Sequence, residues 1–293
     1  MLLSLSSNLY FRGMRLLPFI LLSGLLSLSV AEHECPCLED LNYTVELIAE
    51  QHPGYSYFSK REWGERFEEG LAQLRTELQD QCQLGQTDCI GYFNRLFELI
   101  PDKHLRAREQ SREEARAANP RPLIATFNAV AEGTASIELS SFSSQHTEAL
   151  DSFYTYVEAQ LPDYSKIVID LRSNGGGRKT NMEALAKLIR DNKSGISQVA
   201  ILQTYRTGSA AEQFLFAARQ GMGGRVRTFG QNSYGALAYG GTEPQVTPHL
   251  GIHFRLPTVV FRRFRPYERV GVEPDVQTQN GREVAAAMAW LAG

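Results

Sequence analysis

IVIDLRSNGGG, Ile167 to Gly177, decides how this chain folds. Apolar, β-branched residues run straight into Asp170, a polar turn and three glycines, the pattern of a buried strand ending at a binding face. Gly175, Gly176 and Gly177 lack Cβ atoms, so their backbone can approach a ligand closely or take positive φ. A plain strand-to-helix turn would read the same way, so the triplet needs a second signal.

That signal is TGSAAE, Thr207 to Glu212. It follows another strand-like run, QVAILQTY (198–205), and precedes AAEQFLFAARQ, whose apolar residues recur at helical spacing. Ser209 therefore stands where a strand turns into a helix, and the Ala210 amide at the helix start can help to hold an oxyanion. Ser209 also fits an ordinary N-cap, and Glu212 completes a capping-box pattern, so the local sequence alone favours the cap. A nucleophilic serine needs a base. His104 follows the periodic segment IGYFNRLFELI and lies at a helix end or in the next loop. His33, His52 in the QHPGY turn, and His146 read as surface or packing residues, while His249 and His253 stay close rivals of His104.

DLRSNGGG, TGSAAEQF, FGQNSYGA and ERVGVEPD occur in the order and spacing of a serine peptidase family. In these four segments the chain resembles the family of the C-terminal processing (tail-specific) proteases, the tricorn core and the interphotoreceptor retinoid-binding protein repeats. The likeness runs from about His104 to Asp275, and the segment CPCLEDLNYTVELIAEQHPGYSYF resembles the helical lead of secreted bacterial members. Tail-specific members use a serine–lysine dyad, but Ala236 stands where that lysine would be, and no lysine follows Ser209. The resemblance instead implies the tricorn-like triad of Ser209, His104 and Glu268. It gives Glu268 the task of orienting His104, and it places Gly176 and Ala210 in the oxyanion hole. Glu273 is the alternative acid. Asp170 and Arg172 are expected to shape their turn. Ser233 replaces the family's usual threonine and keeps the hydroxyl.

The resemblance implies an α/β fold, a crotonase-like catalytic core preceded by a small helical lobe. The lobe is expected over 32–122 and the core over 123–293. Helical spacing in REWGERFEEGLAQLRTELQ and alternating strand and helix patterns after Pro122 fit that division. The charged stretch RAREQSREEARAANPRP, 106–122, reads either as a linker or as a solvated helix. Only thirty residues separate His104 from the strand that begins at Ala135, too few for a PDZ module of about eighty or more.

LLPFILLSGLLSLSV after Arg12 and Arg15 reads as a secretory signal cleaved after Ala31, with Met14 as an alternative start. All four cysteines, Cys35, Cys37, Cys82 and Cys89, follow it, and an even count in an oxidising compartment implies two disulfides in one of three connectivities. A zinc site with His33 is a weaker fit, because the metal-ligand spacing is missing. With 30 basic and 33 acidic residues the net charge is −3, which marks neither nucleic acid nor an anionic membrane as partner. The expected activity is an exported, secreted or periplasmic serine-type peptidase acting on peptides or proteins through an acyl-enzyme, with no metal or organic cofactor. The competing reading is a non-catalytic binder of an apolar ligand. Substrate identity and oligomeric state are not legible.

Overall fold

Four consecutive parallel pairings and one antiparallel pairing at the edge organise the main sheet of the chain. The computed structural model describes residues 35–60, 62–83 and 88–293, so the expected signal segment and His33 lie outside the described residues.

The described chain opens with helices α1 (Pro36–Gln51), α2 (Tyr55–Phe58), α3 (Glu62–Gln83) and α4 (Cys89–Glu98). In α3, Phe67, Leu71, Leu74 and Leu78 recur three or four residues apart and are all buried. They form the apolar stripe that the spacing predicts. Asp88 caps α4, its side chain accepting from the Gly91 amide at 2.9 Å. The stripe packs with residues of α1 and α4 into a core that also takes in Ile252, Phe254 and Leu256 from late in the chain. A buried carboxylate strengthens that junction. Asp40 accepts from Thr247 Oγ1 at 2.6 Å and from the amides of His249 and Leu250 at 3.0 and 2.8 Å.

Two disulfides staple this region, Cys35–Cys82 and Cys37–Cys89, each with Cα atoms 5.7 Å apart. Of the three possible connectivities, the fold selects one that ties the start of α1 to both ends of the segment joining α3 and α4. Closing loops of 47 and 52 residues stabilises the fold by ~4 kcal/mol each on a chain-entropy account.

The charged stretch after His104 divides its roles. Residues Arg112–Ala118 form α5, with Ser111 and Glu114 exchanging both hydrogen bonds of a capping box and no residue buried. Before it, Leu105 to Arg108 run extended, and Arg108 bridges His253. The main sheet follows, with β1 (Ala125–Ala131), β2 (Thr134–Leu139), α6 (Thr147–Gln160), β3 (Lys166–Asp170), α7 (Lys179–Asp191), β4 (Gln198–Gln203), α8 (Ala210–Met222) and β5 (Val226–Gly230). Next come β6 (Tyr239–Gly240), β7 (Glu243–Val246), β8 (His253–Leu256), β9 (Val259–Val260), β10 (Val276–Gln277) and α9 (Glu283–Ala292). The strand order is β1-β2-β3-β4-β5-β10, antiparallel only between β1 and β2. β6 pairs with β9 and β7 with β8, both antiparallel.

Both faces of the sheet are covered, which explains why its strands are apolar at consecutive positions rather than alternately. Ile167 and Ile169 face a core shared with α6, α7 and α8, while Val168 faces a second core built with α9. The architecture is therefore a mixed α/β fold around a mostly parallel sheet. Its parallel strands β3, β4 and β5 end at one edge, and the loops NGGG, TGS and QNSYG leave from there. In such sheets the carboxyl edge is where ligands bind.

Candidate active site

Ser209 sits at the turn from β4 into α8 with φ 54° and ψ −120°. A non-glycine residue in that region costs ~1–3 kcal/mol, so the surrounding contacts must hold it there. Glu212 supplies much of that hold. Its buried carboxylate accepts from the Ser209 amide at 2.7 Å, Ser233 Oγ at 2.6 Å, and the amides of Gly235 and Ala236 at 2.6 and 2.9 Å. The Glu212 amide bonds the Ser209 carbonyl at 2.9 Å. The cap is thus made by backbone and Glu212, and the Ser209 hydroxyl is left for another partner.

That partner is His104, whose Nε2 lies 3.3 Å from Ser209 Oγ. On its other side, His104 Nδ1 lies 3.0 Å from Asp102 Oδ1, which also accepts from the His104 amide at 2.8 Å. An ionised carboxylate can only accept, so Nδ1 carries the proton and Nε2 presents its lone pair to the hydroxyl. Asp102 Oδ2 lies 3.0 Å from Nε2 of His52, and both side chains are fully buried. His52 Nδ1 accepts from the Gly54 amide at 3.0 Å, which leaves its Nε2 as the donor to Asp102. Phe58 and Tyr239 flank the His52 ring at centroid distances of 5.3 and 4.9 Å. Ser209, His104, Asp102 and His52 form one continuous chain of polar contacts.

Electrostatics follow from this chain. Burial alone would raise the Asp102 pKa, but hydrogen bonds from His104 and His52 outweigh it and hold the carboxyl down at about 2. For His104, burial disfavours the charged ring, yet Asp102 in contact, with Glu268 and Glu212 nearby, raises its pKa above the ordinary 6.5. Burial pushes Glu268 up to about 7; the Ala238 and Lys103 amides and His104 pull the other way, and Asp102 pushes with burial.

Glu268 stands beside His104 without touching it. It makes no hydrogen bond to His104; its Oε1 accepts from the Lys103 amide at 3.1 Å, and its Oε2 from Leu237 and Ala238 at 3.0 and 2.8 Å. His104 Nδ1 is met by Asp102, which the short D-x-H spacing delivers from two residues away. Glu268 remains close, since one ligand atom each from Asp102, His104 and Glu268 lie within 4.8 Å of one another. Those three could be read as a cation site, but each of their oxygens already accepts from an N–H donor. Arg265 and Arg269 do not pair with Glu268. Arg265 lies over the Tyr57 ring at 4.1 Å, and Arg269 donates to the carbonyls of Glu98 and Ile100.

Gly176 and Ala210 flank Ser209, with one amide committed elsewhere. The Gly176 amide donates to Asn174 Oδ1 at 2.9 Å. The Ala210 amide, first in α8, has no acceptor among the described residues. Gly176 has φ +91°, and a Cβ there would stand 2.5 Å from the Gly208 carbonyl oxygen and 2.8 Å from Ser209 Cβ. Only glycine fits that approach. Asp170 and Arg172 pair with each other at 2.6 Å and shape the turn. Glu273 is exposed and contacts Gln277.

The remaining histidines separate cleanly. His249 pairs with Glu39 at 3.2 Å, His146 contacts Gln145, and His253 is half-buried in β8. Sequence reasoning missed Asp102 and His52 as site residues. D-x-H offered a signal for Asp102; a lone histidine in a turn offered none for His52.

An open cleft adjoins the base, lined by His104, Arg106, Arg108, Arg112, His253 and Arg255 among others. No helix among the described residues is long and apolar enough to cross a membrane.

Residues 133–199 match the profile of peptidase family S41. No curated protein matches the chain. A lipoprotein from Streptococcus agalactiae is similar in fold, with a TM-score of 0.58, 16% identity, and coverage of 87% of this chain and 96% of that one. A candidate peptidase from Parabacteroides merdae ATCC 43184 is similar with a TM-score of 0.54, 15% identity, and coverage of 88% and 96%. The profile match includes Gly176 and stops before Ser209.

Proposed function

We propose that this chain, which carries the peptidase family S41 signature over residues 133–199, is a serine-type peptidase that cleaves peptide bonds through an acyl-enzyme. The observation that carries the reading is the alignment Ser209 Oγ, His104 Nε2, His104 Nδ1, Asp102, with links of 3.3 and 3.0 Å. A capping serine needs no histidine on its hydroxyl, and a binding site needs no buried carboxylate behind that histidine.

In the proposed reaction, Ser209 Oγ attacks the peptide carbonyl carbon while its proton passes to His104 Nε2. Asp102 holds the ring in the required tautomer and stabilises the imidazolium. His52 is a positioning residue, donating to the other Asp102 oxygen. The carbonyl π electrons move onto oxygen, and the Ala210 amide receives that oxyanion. Gly176 joins it by sharing its N–H with Asn174 Oδ1 or releasing that contact. When the C–N bond breaks, His104 Nε2 returns the proton to the leaving amine. Water then attacks the acyl ester with His104 again as base, releasing the acid and restoring Ser209. Glu268, the acid of the tricorn-like triad implied by sequence, acts here from beside His104, where its charge favours the imidazolium and its oxygens fasten the Lys103 backbone.

The proposal includes export, cleavage after Ala31, and a secreted or periplasmic location, supported by the two disulfides. It also includes a crotonase-like core, a helical amino-terminal lobe and no PDZ module. The cleft beside His104 sets four arginines alongside Pro244 and Phe254, a lining that suits a peptide with an anionic group.

The test is labelling of the folded protein with a fluorophosphonate, mapped by mass spectrometry. The expected result is an adduct on Ser209 that His104→Ala abolishes. A well-folded protein that never labels at Ser209 would overturn the nucleophile.

A further inference from the structure

The cleft at His104 is built from the charged stretch that sequence left as either linker or helix. Leu105 and Ala107 are buried while Arg106 and Arg108 are exposed. This period of two is that of an extended segment presenting both arginines on one face. The segment is fixed in place. Arg108 exchanges both backbone hydrogen bonds with His253 of β8, each at 2.9 Å, and the Ala107 amide donates to Asn94 Oδ1 at 3.0 Å. Arg112 enters the same cleft from the first residue of α5, and Arg255 from β8.

Four guanidiniums and two histidines thus surround a cavity that holds one carboxylate, Glu113. Glu113 is paired with Arg255 at 3.2 Å. Among the described residues, Arg106, Arg108 and Arg112 have no acidic partner. Glu114, the next acid along, is turned to the Ser111 cap. Partial loss of hydration, then repulsion from Arg116, Arg255 and Arg108, opposed by Glu113, pulls the pKa of the solvent-exposed Arg112 down to about 10, which leaves it charged at neutral pH. A net charge of −3 overall makes this local excess of positive charge a feature of the cleft rather than of the molecule.

We propose that Arg106, Arg108 and Arg112 form an anion subsite beside His104 that selects peptides bearing a carboxylate near the bond to be cut. Guanidinium forks match carboxylate geometry and lose little preorganisation when mounted on a paired segment. The carboxylate has two possible sources, an aspartate or glutamate side chain and the peptide's own C-terminus. The inference rests on the peptidase reading for its ligand being a peptide, but its test needs no turnover.

The Ser209→Ala protein is titrated by fluorescence anisotropy with three matched pools of labelled, degenerate octapeptides. One pool carries a fixed central Glu and a C-terminal amide, the second a central Gln and an amide, the third a central Gln and a free C-terminal carboxylate. The expected result is about tenfold tighter binding of at least one carboxylate pool than of the Gln amide pool. The better of the two carboxylate pools identifies the source. In Arg108→Gln/Arg112→Gln, with unchanged circular dichroism, that preference should fall below about twofold. Equal affinity for all pools, binding of none, or a preference that survives the double substitution would overturn the subsite. Fluorophosphonate labelling of the wild type tells that failure apart from failure of the peptidase reading.

Discussion

The two halves of the candidate site are built on different principles. The nucleophile half lies at the carboxyl edge of the parallel sheet, where β4 turns into α8, and its geometry is set by the loops that leave adjacent strands. Glu212, three residues from Ser209, fastens the turn, and Gly176 fits beneath it because it lacks a Cβ. The base half is assembled from the ends of helices. His52 follows α1, and Asp102 and His104 follow α4; the contacts that matter span 50 residues from His52 to Asp102 and 105 from His104 to Ser209. Strand-edge geometry can be read from a short stretch of chain, whereas a buried relay exists only when distant segments are packed together.

The largest expected effect breaks the base half and spares the other. Asp102→Asn keeps the volume but can no longer hold His104 with its proton on Nδ1. Hydrolysis should fall ~10³-fold or more, measured as kcat on any peptide the wild type cleaves, together with a stability loss of ~1–3 kcal/mol because the Asn NH₂ must face an N–H donor. A loss below tenfold would remove Asp102 from the relay.

Gly176→Ala strikes the nucleophile half instead. Its Cβ would meet the Gly208 carbonyl and Ser209, so the turn must shift. Destabilisation of ~2–4 kcal/mol should accompany loss of fluorophosphonate labelling at Ser209, read by denaturant titration and mass spectrometry. Unaltered stability and labelling would show that the close approach is not required.

Glu268→Gln sharpens the comparison by asking which carboxylate serves His104. Gln keeps one acceptor oxygen but turns an NH₂ group toward backbone amides, which costs ~1–3 kcal/mol in stability. Because Glu268 does not touch His104, the loss in kcat should be about tenfold, far less than for Asp102→Asn. The reverse order would restore Glu268 as the orienting acid of the tricorn-like triad.

The smallest effect is in the pH profile. A peptidase with a neutral histidine base gains activity as that histidine loses its proton, and His104 is held above 6.5 by Asp102. The rising limb of kcat/KM should therefore centre above pH 6.5, and in Asp102→Asn it should move down. A limb that stays in place would mean that Asp102 does not set the charge of His104. Stability has its own signs. The raised His104 contributes stability fully below pH 6.5 and loses it as pH rises through its folded pKa. Asp102 contributes above about pH 3.8 and loses its share as pH falls toward 2.

Sequence was a good guide wherever physics acts over a few residues. IVIDL is apolar at successive positions because Ile167 and Ile169 face one core and Val168 the other. The strand–Ser209–helix order was legible for the same reason, as was the α3 stripe. The cysteine count limited the disulfides to three pairings, and only packing of α1 against α3 and α4 chose between them. The family pattern named Glu268 as the acid of a triad; the fold gave the Nδ1 contact to Asp102 and set Glu268 on three backbone amides. His52 in its turn carried no signal, because its meaning lies in Asp102, Gly54 and Tyr239.

By itself, then, the sequence determined an α/β order of strands and helices with a serine where a strand turns into a helix, since apolar periodicity and capping are local. The tertiary structure alone decided which carboxylate holds His104, which cysteines pair, and that a stretch of arginines lines the cleft beside the base. Those outcomes depend on distances between residues far apart in the chain, and on the cost of burying a charge that lacks a partner.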